Sequence, residues 1–159
     1  KAHVAKEKGA WEIINYKHEN IVERVKELTD GKKLKVVYDS VGKDTWETSL
    51  DSLAPRGLLV SFGNASGAVT GVNLGILASK GSLYVTRPTL GSYATDQKIA
   101  QAMADELFDL SSSGKIEIEI NQRYSLKNVA AAQDNLQSGK TIGSTVLYPE
   151  ELAYNYEVV

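Results

Sequence analysis

Cysteine is absent from the 159 residues and histidine occurs only twice, as His3 and His18. The first absence removes disulfides and thiolate zinc sites, and two histidines are too few for a histidine cage, so metal chemistry within this chain is not expected. A dominant charge is missing as well. Eighteen basic residues stand against 20 acidic ones, a net charge of −2, which gives no electrostatic footprint for nucleic acid or an anionic membrane. No apolar run approaches the roughly 20 residues of a bilayer span, and nothing resembles a signal peptide, so a cytoplasmic protein is expected. Methionine does not open the chain. Lys1 leads directly into Ala2, Val4 and Ala5, which read as the tail of a helix stopped at Lys8-Gly9, and the sequence is therefore expected to be a piece of a longer polypeptide.

What is present is a hydrophobic fraction of 42%, enough for one domain with a real core. The chain organises around Leu34 to Gly42, LKVVYDSVG. Its short, β-branched apolar run, bounded by charge and by Asp-Ser-Val-Gly, reads as the central strand of a parallel sheet, covered on both faces. Ligands of open α/β sheets bind beyond the carboxyl ends of such strands, so Ser40 and Gly42 mark the place to look.

Around it, Ala10 to Asn15 is a strand candidate, and Asn20 with Glu23 forms a capping box for a helix carrying Ile21, Val22, Val25 and Leu28. Asp30-Gly31 ends that helix. Asp44 with Glu47 repeats the capping pattern ahead of Trp46, Leu50 and Leu53, with Pro55 as the stop. Gly57 to Phe62 is the next buried strand, followed by a loop with glycines at 63, 67, 71 and 75 and by the apolar stretch Leu74 to Ala78. Ser82 to Thr86 is a further strand stopped at Pro88. This spacing is that of consecutive βαβ units, hence a parallel sheet. The longest helix is expected from Thr95 through Leu110 to the Ser111–Gly114 stop. Lys115 to Ile120, KIEIEI, alternates strictly and predicts a strand with one wet face. A capped helix over 125–136, a strand Ser144 to Leu147 and an acidic, aromatic tail over 150–159 complete the chain.

Several of these segments together carry a resemblance. INY at 14–16, VVYDSVG at 36–42, RGLLVSFGNASG at 56–67, GSLYVTRP at 81–88 and SGKTIGSTVLYP at 138–149 look like the carboxyl-terminal half of a zinc-independent, NADPH-dependent quinone oxidoreductase. That is the zeta-crystallin-like branch of the medium-chain dehydrogenase/reductase superfamily. The resemblance implies an α/β fold with a partial Rossmann-type parallel sheet over 1–113, a segment returning to the catalytic domain over 114–149, and a tail at 150–159 without a counterpart. It also implies that the first catalytic segment and the glycine-rich pyrophosphate turn would precede Lys1; nothing in these residues has the strand, G-x-G-x-x-G, helix arrangement. In the family order, two strands would lie between Ala10–Asn15 and the central strand. Their edges are therefore expected to be covered by those strands, or to close on each other, with 152–158 as a further covering segment.

Residue by residue, the resemblance places Lys1 at the cofactor 2′-phosphate and Tyr16 beside the adenosine ribose and phosphate. It sets Ser40 and Gly42 close to the nicotinamide nucleotide, Phe62, Gly63 and Asn64 along its nicotinamide half, and Val85, Thr86 and Arg87 at the nicotinamide edge and diphosphate. Each has a plainer reading. Lys1 and Arg87 are otherwise solvated cations, Tyr16 a strand-end tyrosine, Ser40 and Gly42 a simple turn, and Phe62 part of the core. Asp39 is read as a hydrogen-bonded turn residue rather than a catalytic carboxylate, since no histidine or second acid is placed to work with it. The implied activity is hydride transfer from NADPH to a quinone or similar electron-poor acceptor by a homodimer joined through Ser82 to Thr86, without metal. Two alternatives stand beside it: a non-catalytic remnant acting in folding or dimer assembly, and a methyltransferase-like parallel sheet.

Overall fold

A computed structural model of the chain describes residues 1–149; the expected tail at 150–159, and its possible pairing through 152–158, lie outside the described residues. Two compact units result, one formed by Lys1–Thr95 and one beginning at Asp96.

The first unit is built on a three-stranded parallel sheet of β1 (Leu34–Asp39), β2 (Leu53–Ser61) and β3 (Tyr84–Thr86), in the order β1-β2-β3. Helix α3 (Trp46–Asp51) joins β1 to β2 and the short α4 (Gly75–Ser79) joins β2 to β3, the two crossovers foreseen from the spacing. The register sets Val37 beside Leu59, Leu59 beside Val85, and Asp39 beside Ser61. Leu50, Leu53, Leu59 and Leu83 form the core under this sheet, with Val37, Trp46, Ile76 and Leu77 packed against it. Two helices precede the sheet. They are α1 (Ala2–Glu7), closed at Gly9 with φ of 96°, and α2 (Ile21–Leu28), whose Asn20 cap accepts from the Glu23 backbone N–H at 3.2 Å. Only half of the expected capping box is made: the Glu23 carboxylate turns to Lys26 Nζ at 2.7 Å.

Three expectations fail here, for one reason. Ala10 to Asn15 forms no strand; β1 lies at an edge rather than in the centre; and its Val36 and Tyr38 face is open, Tyr38 being 73% exposed. A strand is defined by its ladder, and no described neighbour pairs with Ala10–Asn15 or with the outer edge of β1. Neither the closing of these two segments on each other nor an intervening pair of strands is seen among the described residues. The Asp44 cap fails differently. The helix begins at Trp46 after Thr45, without a side-chain cap, because the Thr45 hydroxyl is drawn onto Asp39. Pro55 is not the helix stop either: α3 ends at Asp51 and Pro55 already lies in β2.

In the second unit α6 (Gln97–Ser112), capped by Asp96, follows the short α5 (Leu90–Tyr93) that closes the first. Strand β4 (Ile120–Ser125) pairs in parallel with β5 (Ser144–Tyr148), and the connection passes through a 3₁₀ turn (Leu126–Asn128) and α7 (Val129–Gln137). The expected KIEIEI strand is displaced. Its first five residues are outside any ladder, and pairing starts at Ile120, because β5 is available only from there onward. Among the described residues no helix is long and apolar enough to cross a membrane.

Candidate functional site at the sheet edge

The carboxyl ends of β1, β2 and β3 lie side by side, and what holds them there can be followed atom by atom. At the end of β1, the buried Asp39 carboxylate accepts from the backbone N–H of Val41 (2.8 Å) and Gly42 (3.0 Å), from the Thr45 hydroxyl (2.7 and 2.9 Å) and from the Ser49 hydroxyl (2.6 Å). Burial alone would raise this carboxyl, but the bonds from Ser49, Gly42, Thr45 and Val41 outweigh it and hold the pKa below the ordinary value. Asp39 is therefore spent on shaping the turn, as its sequence context suggested.

That turn meets the end of β2 at close range. Gly42 has φ of 92°, and a Cβ there would sit 2.6 Å from the Gly67 carbonyl oxygen; a Cβ on Gly63 would overlap the Ser40 backbone. Both positions need glycine because two chain segments pass in contact. The crossing is tied by Lys43 N–H to the Gly67 carbonyl (3.1 Å), Ala65 N–H to the Ser40 carbonyl (3.2 Å) and Phe62 N–H to the Asp39 carbonyl (2.9 Å).

The end of β3 is joined by Arg87. Its Nη1 donates to the carbonyl oxygens of Ser61 (3.0 Å) and Gly63 (2.9 Å), with the Ser61 hydroxyl at 3.3 Å. In the amide orientation that satisfies both its ends, Asn64 accepts from Arg87 Nη2 at 3.2 Å and donates to the Gly63 carbonyl at 2.9 Å. A cavity of about 370 Å³ opens here, with Ser61, Asn64, Val85 and Arg87 on one side and Trp46, Val69, Val72, Leu74 and Leu77 among its apolar walls. One cation and one amide at the end of an apolar slot suit a flat polar ring with an apolar surround.

Of the residues singled out in the sequence, Ser40, Gly42, Phe62, Gly63, Asn64, Val85, Thr86 and Arg87 thus share this edge, although Phe62 leaves its ring half exposed and does not line the cavity. Tyr16 lies elsewhere, in a cavity of about 460 Å³ with Glu19, Asn20, Ile21, Val22, Val41, Asp44, Thr45 and Thr48. Two carboxylates and no cation line that cavity, so it favours hydroxyl donors over a phosphate. Lys1 is exposed at the start of α1 and lines neither cavity. The apolar loop residues Val69, Val72 and Leu74 and the helix residue Trp46 were missed. Their spacing within a glycine-rich loop follows no helix or strand period, though three large apolar residues in such a loop are themselves a signal. Among the described residues no group of histidines, cysteines and carboxylates could hold a metal ion.

These features are those of the carboxyl edge of an open parallel α/β sheet. A family model described as zinc-binding dehydrogenase matches residues 8–147, and the chain belongs to that family. The donors that a zinc site requires are not found among the described residues. A quinone oxidoreductase from Pseudomonas aeruginosa is 69% identical over 149 residues, covering 94% of this chain and 46% of the relative. Among solved structures, a quinone oxidoreductase from Pseudomonas syringae aligns with a TM-score of 0.88 and 63% identity. The Escherichia coli quinone oxidoreductase complexed with NADPH aligns with 0.89 and 56%; each alignment covers 93% of this chain and 46% of the other. The chain thus spans about half the length of the relatives it matches.

Proposed function

We propose that this chain is the cofactor-domain portion of an NADPH-dependent quinone oxidoreductase. The observation that carries the proposal is the meeting of three parallel strand ends, Ser40–Gly42, Phe62–Asn64 and Val85–Arg87, with Asn64, Val85 and a fixed Arg87 lining an apolar slot beside them. The similarity to an enzyme solved with NADPH supports it. In this reading residues 1–113 serve the cofactor and 114–149 return to the catalytic domain. NADPH, when bound, supplies the hydride; the chain binds and orients it. Glycines 42 and 63 let the backbone come close, Asn64 and Arg87 face the polar end of the nicotinamide slot, and the apolar walls exclude water. Tyr16 with its neighbouring carboxylates suits the ribose hydroxyls, and Lys1 is assigned to the 2′-phosphate. The acceptor is a quinone, the location is the cytoplasm, and two copies pair through residues 82–86, where β3 leaves an exposed edge.

The 159-residue chain alone is expected to bind NADPH weakly and not to turn over. The glycine-rich pyrophosphate turn is not among its residues, and each lost charge-assisted hydrogen bond costs roughly 1.5–3 kcal/mol, about tenfold or more in affinity. Titration of NADPH fluorescence and an assay of NADPH oxidation with a small quinone test this. The full-length protein should show both activities and the isolated chain only millimolar binding. Micromolar affinity with turnover from the isolated chain would refute the division of labour. No NADPH oxidation by the full-length protein would refute the function.

A further inference from the structure

We infer that Arg87 is a positioning residue, which sets the nicotinamide-facing backbone of Phe62–Asn64 rather than pairing with the cofactor diphosphate; the inference rests on the function proposed above. Nη1 carries two hydrogens, and the carbonyls of Ser61 and Gly63 take both. Nη2 is engaged by Asn64. The end-on fork is thus filled by neutral protein acceptors, and of the five N–H donors Nε–H and one on Nη2 remain for any anion. What those bonds accomplish is mechanical. β2 ends at Ser61; beyond it the N–H groups of Phe62 and Ala65 reach the carbonyls of Asp39 and Ser40, while the carbonyls of Ser61 and Gly63 and the Asn64 side chain are held by one planar group reaching across from the end of β3.

Gly63 passes the fixation on. Its backbone packs against Ser40 with no room for a Cβ, so holding Gly63 also holds the turn at the end of β1. Main-chain bonds join the ends of β1 and β2, and a single guanidinium joins the end of β3 to them. A lysine cannot replace it, because a single ammonium on a flexible stem does not span two carbonyls and an amide.

The experiment uses the full-length protein with Arg87→Lys and Arg87→Ala. Both variants are expected to lower kcat for NADPH oxidation by a small quinone, alike and by roughly ten- to a hundredfold, as misplacement of a reacting group by about 1 Å does. The primary isotope effect with 4-deuterated NADPH should rise, because hydride transfer becomes slower than release. Affinity for adenosine 2′,5′-bisphosphate, which lacks the nicotinamide, should stay within about twofold of the unsubstituted protein. A direct ion pair would give the opposite result: Arg87→Lys keeps its kcat, the KM for NADPH rises, and the salt dependence of that KM weakens. That outcome overturns the inference, as does a parallel loss of bisphosphate affinity, which marks a merely structural role. Should Arg87→Ala not accumulate as folded protein, Arg87→Lys decides alone. An unsubstituted enzyme that does not oxidise NADPH overturns the function itself. An unsubstituted enzyme that works beside an Arg87→Lys variant that works equally well overturns only the role of Arg87.

Discussion

At the scale of single residues, Asp39 shows how a carboxylate at a sheet edge can be structural. Its four donors come from the turn and from α3, so one buried charge ties β1 to the helix that covers it. Asp39→Asn keeps the size but turns an amide NH₂ toward donors. A loss of about 2–3 kcal/mol in urea unfolding at pH 7 is expected, the value of hydrogen bonds to a charged group. The pH dependence has a definite sign. The folded-state pKa is depressed, so the stabilisation is fully present above roughly pH 4 and is lost as pH falls through the folded-state value. The gap between the unsubstituted protein and the variant should therefore shrink in acid; a gap that is constant from pH 7 to pH 3 would count against this account. Gly63→Ala is the steric counterpart. The added methyl meets the Ser40 backbone, which cannot yield as a side-chain tip can. A loss of about 1–3 kcal/mol is expected, together with poorer cofactor binding, as measured by unfolding and by NADPH titration on the full-length protein. The role of Asp39 was legible from its sequence because its donors, residues 41 to 49, are close along the chain. The bonds of Arg87 to Ser61 and Gly63 were not, since they span more than twenty positions and follow only from the strand register.

At the scale of elements, local chemistry was readable and partnership was not. Helix α2 is announced by Asn20, and the structure makes that cap. Asn20→Ala should cost about 1 kcal/mol, seen as a lowered thermal midpoint for the first unit, with hydrogen exchange faster in the first turn of α2 than elsewhere. No change would mean that the exposed cap is replaced fully by water. The strands divide by the same criterion. β1 and β2 were found from their apolar runs. Ala10–Asn15 and residues 115–119, which have strand-like composition, stay outside any ladder for want of a neighbour. Alternation predicts which face a strand would bury, but the hydrogen-bonded partner decides whether there is a strand. The cap at Asp44 shows tertiary demand overriding a local rule, because Thr45 is recruited by Asp39 from six residues away.

At the scale of the whole molecule, the first unit presents an edge that wants covering. Among the described residues β3 pairs only with β2, its three residues are all exposed, and Tyr84 is 61% open. Edge strands of soluble proteins are commonly guarded by lysine, proline or a bulge; here the sequence Leu-Tyr-Val-Thr offers none of these within the strand. A second copy, brought up antiparallel across a two-fold axis, would satisfy the outer backbone groups of β3 and bury Tyr84 against its equivalent, a closed two-fold arrangement at this edge. The substitution Tyr84→Lys tests it, because the two-fold axis would place the new charge near its own copy, and like charges across a strand pair repel. The unsubstituted protein is expected to sediment as a dimer at micromolar concentration. The variant should dissociate with a Kd at least about tenfold higher, equivalent to roughly 1.4 kcal/mol. Its thermal unfolding at high concentration should be little altered, since Tyr84 is outside the core of its own sheet. A monomeric unsubstituted protein at high concentration, or a dimer indifferent to the lysine, would show that residues 82–86 are not where two copies meet.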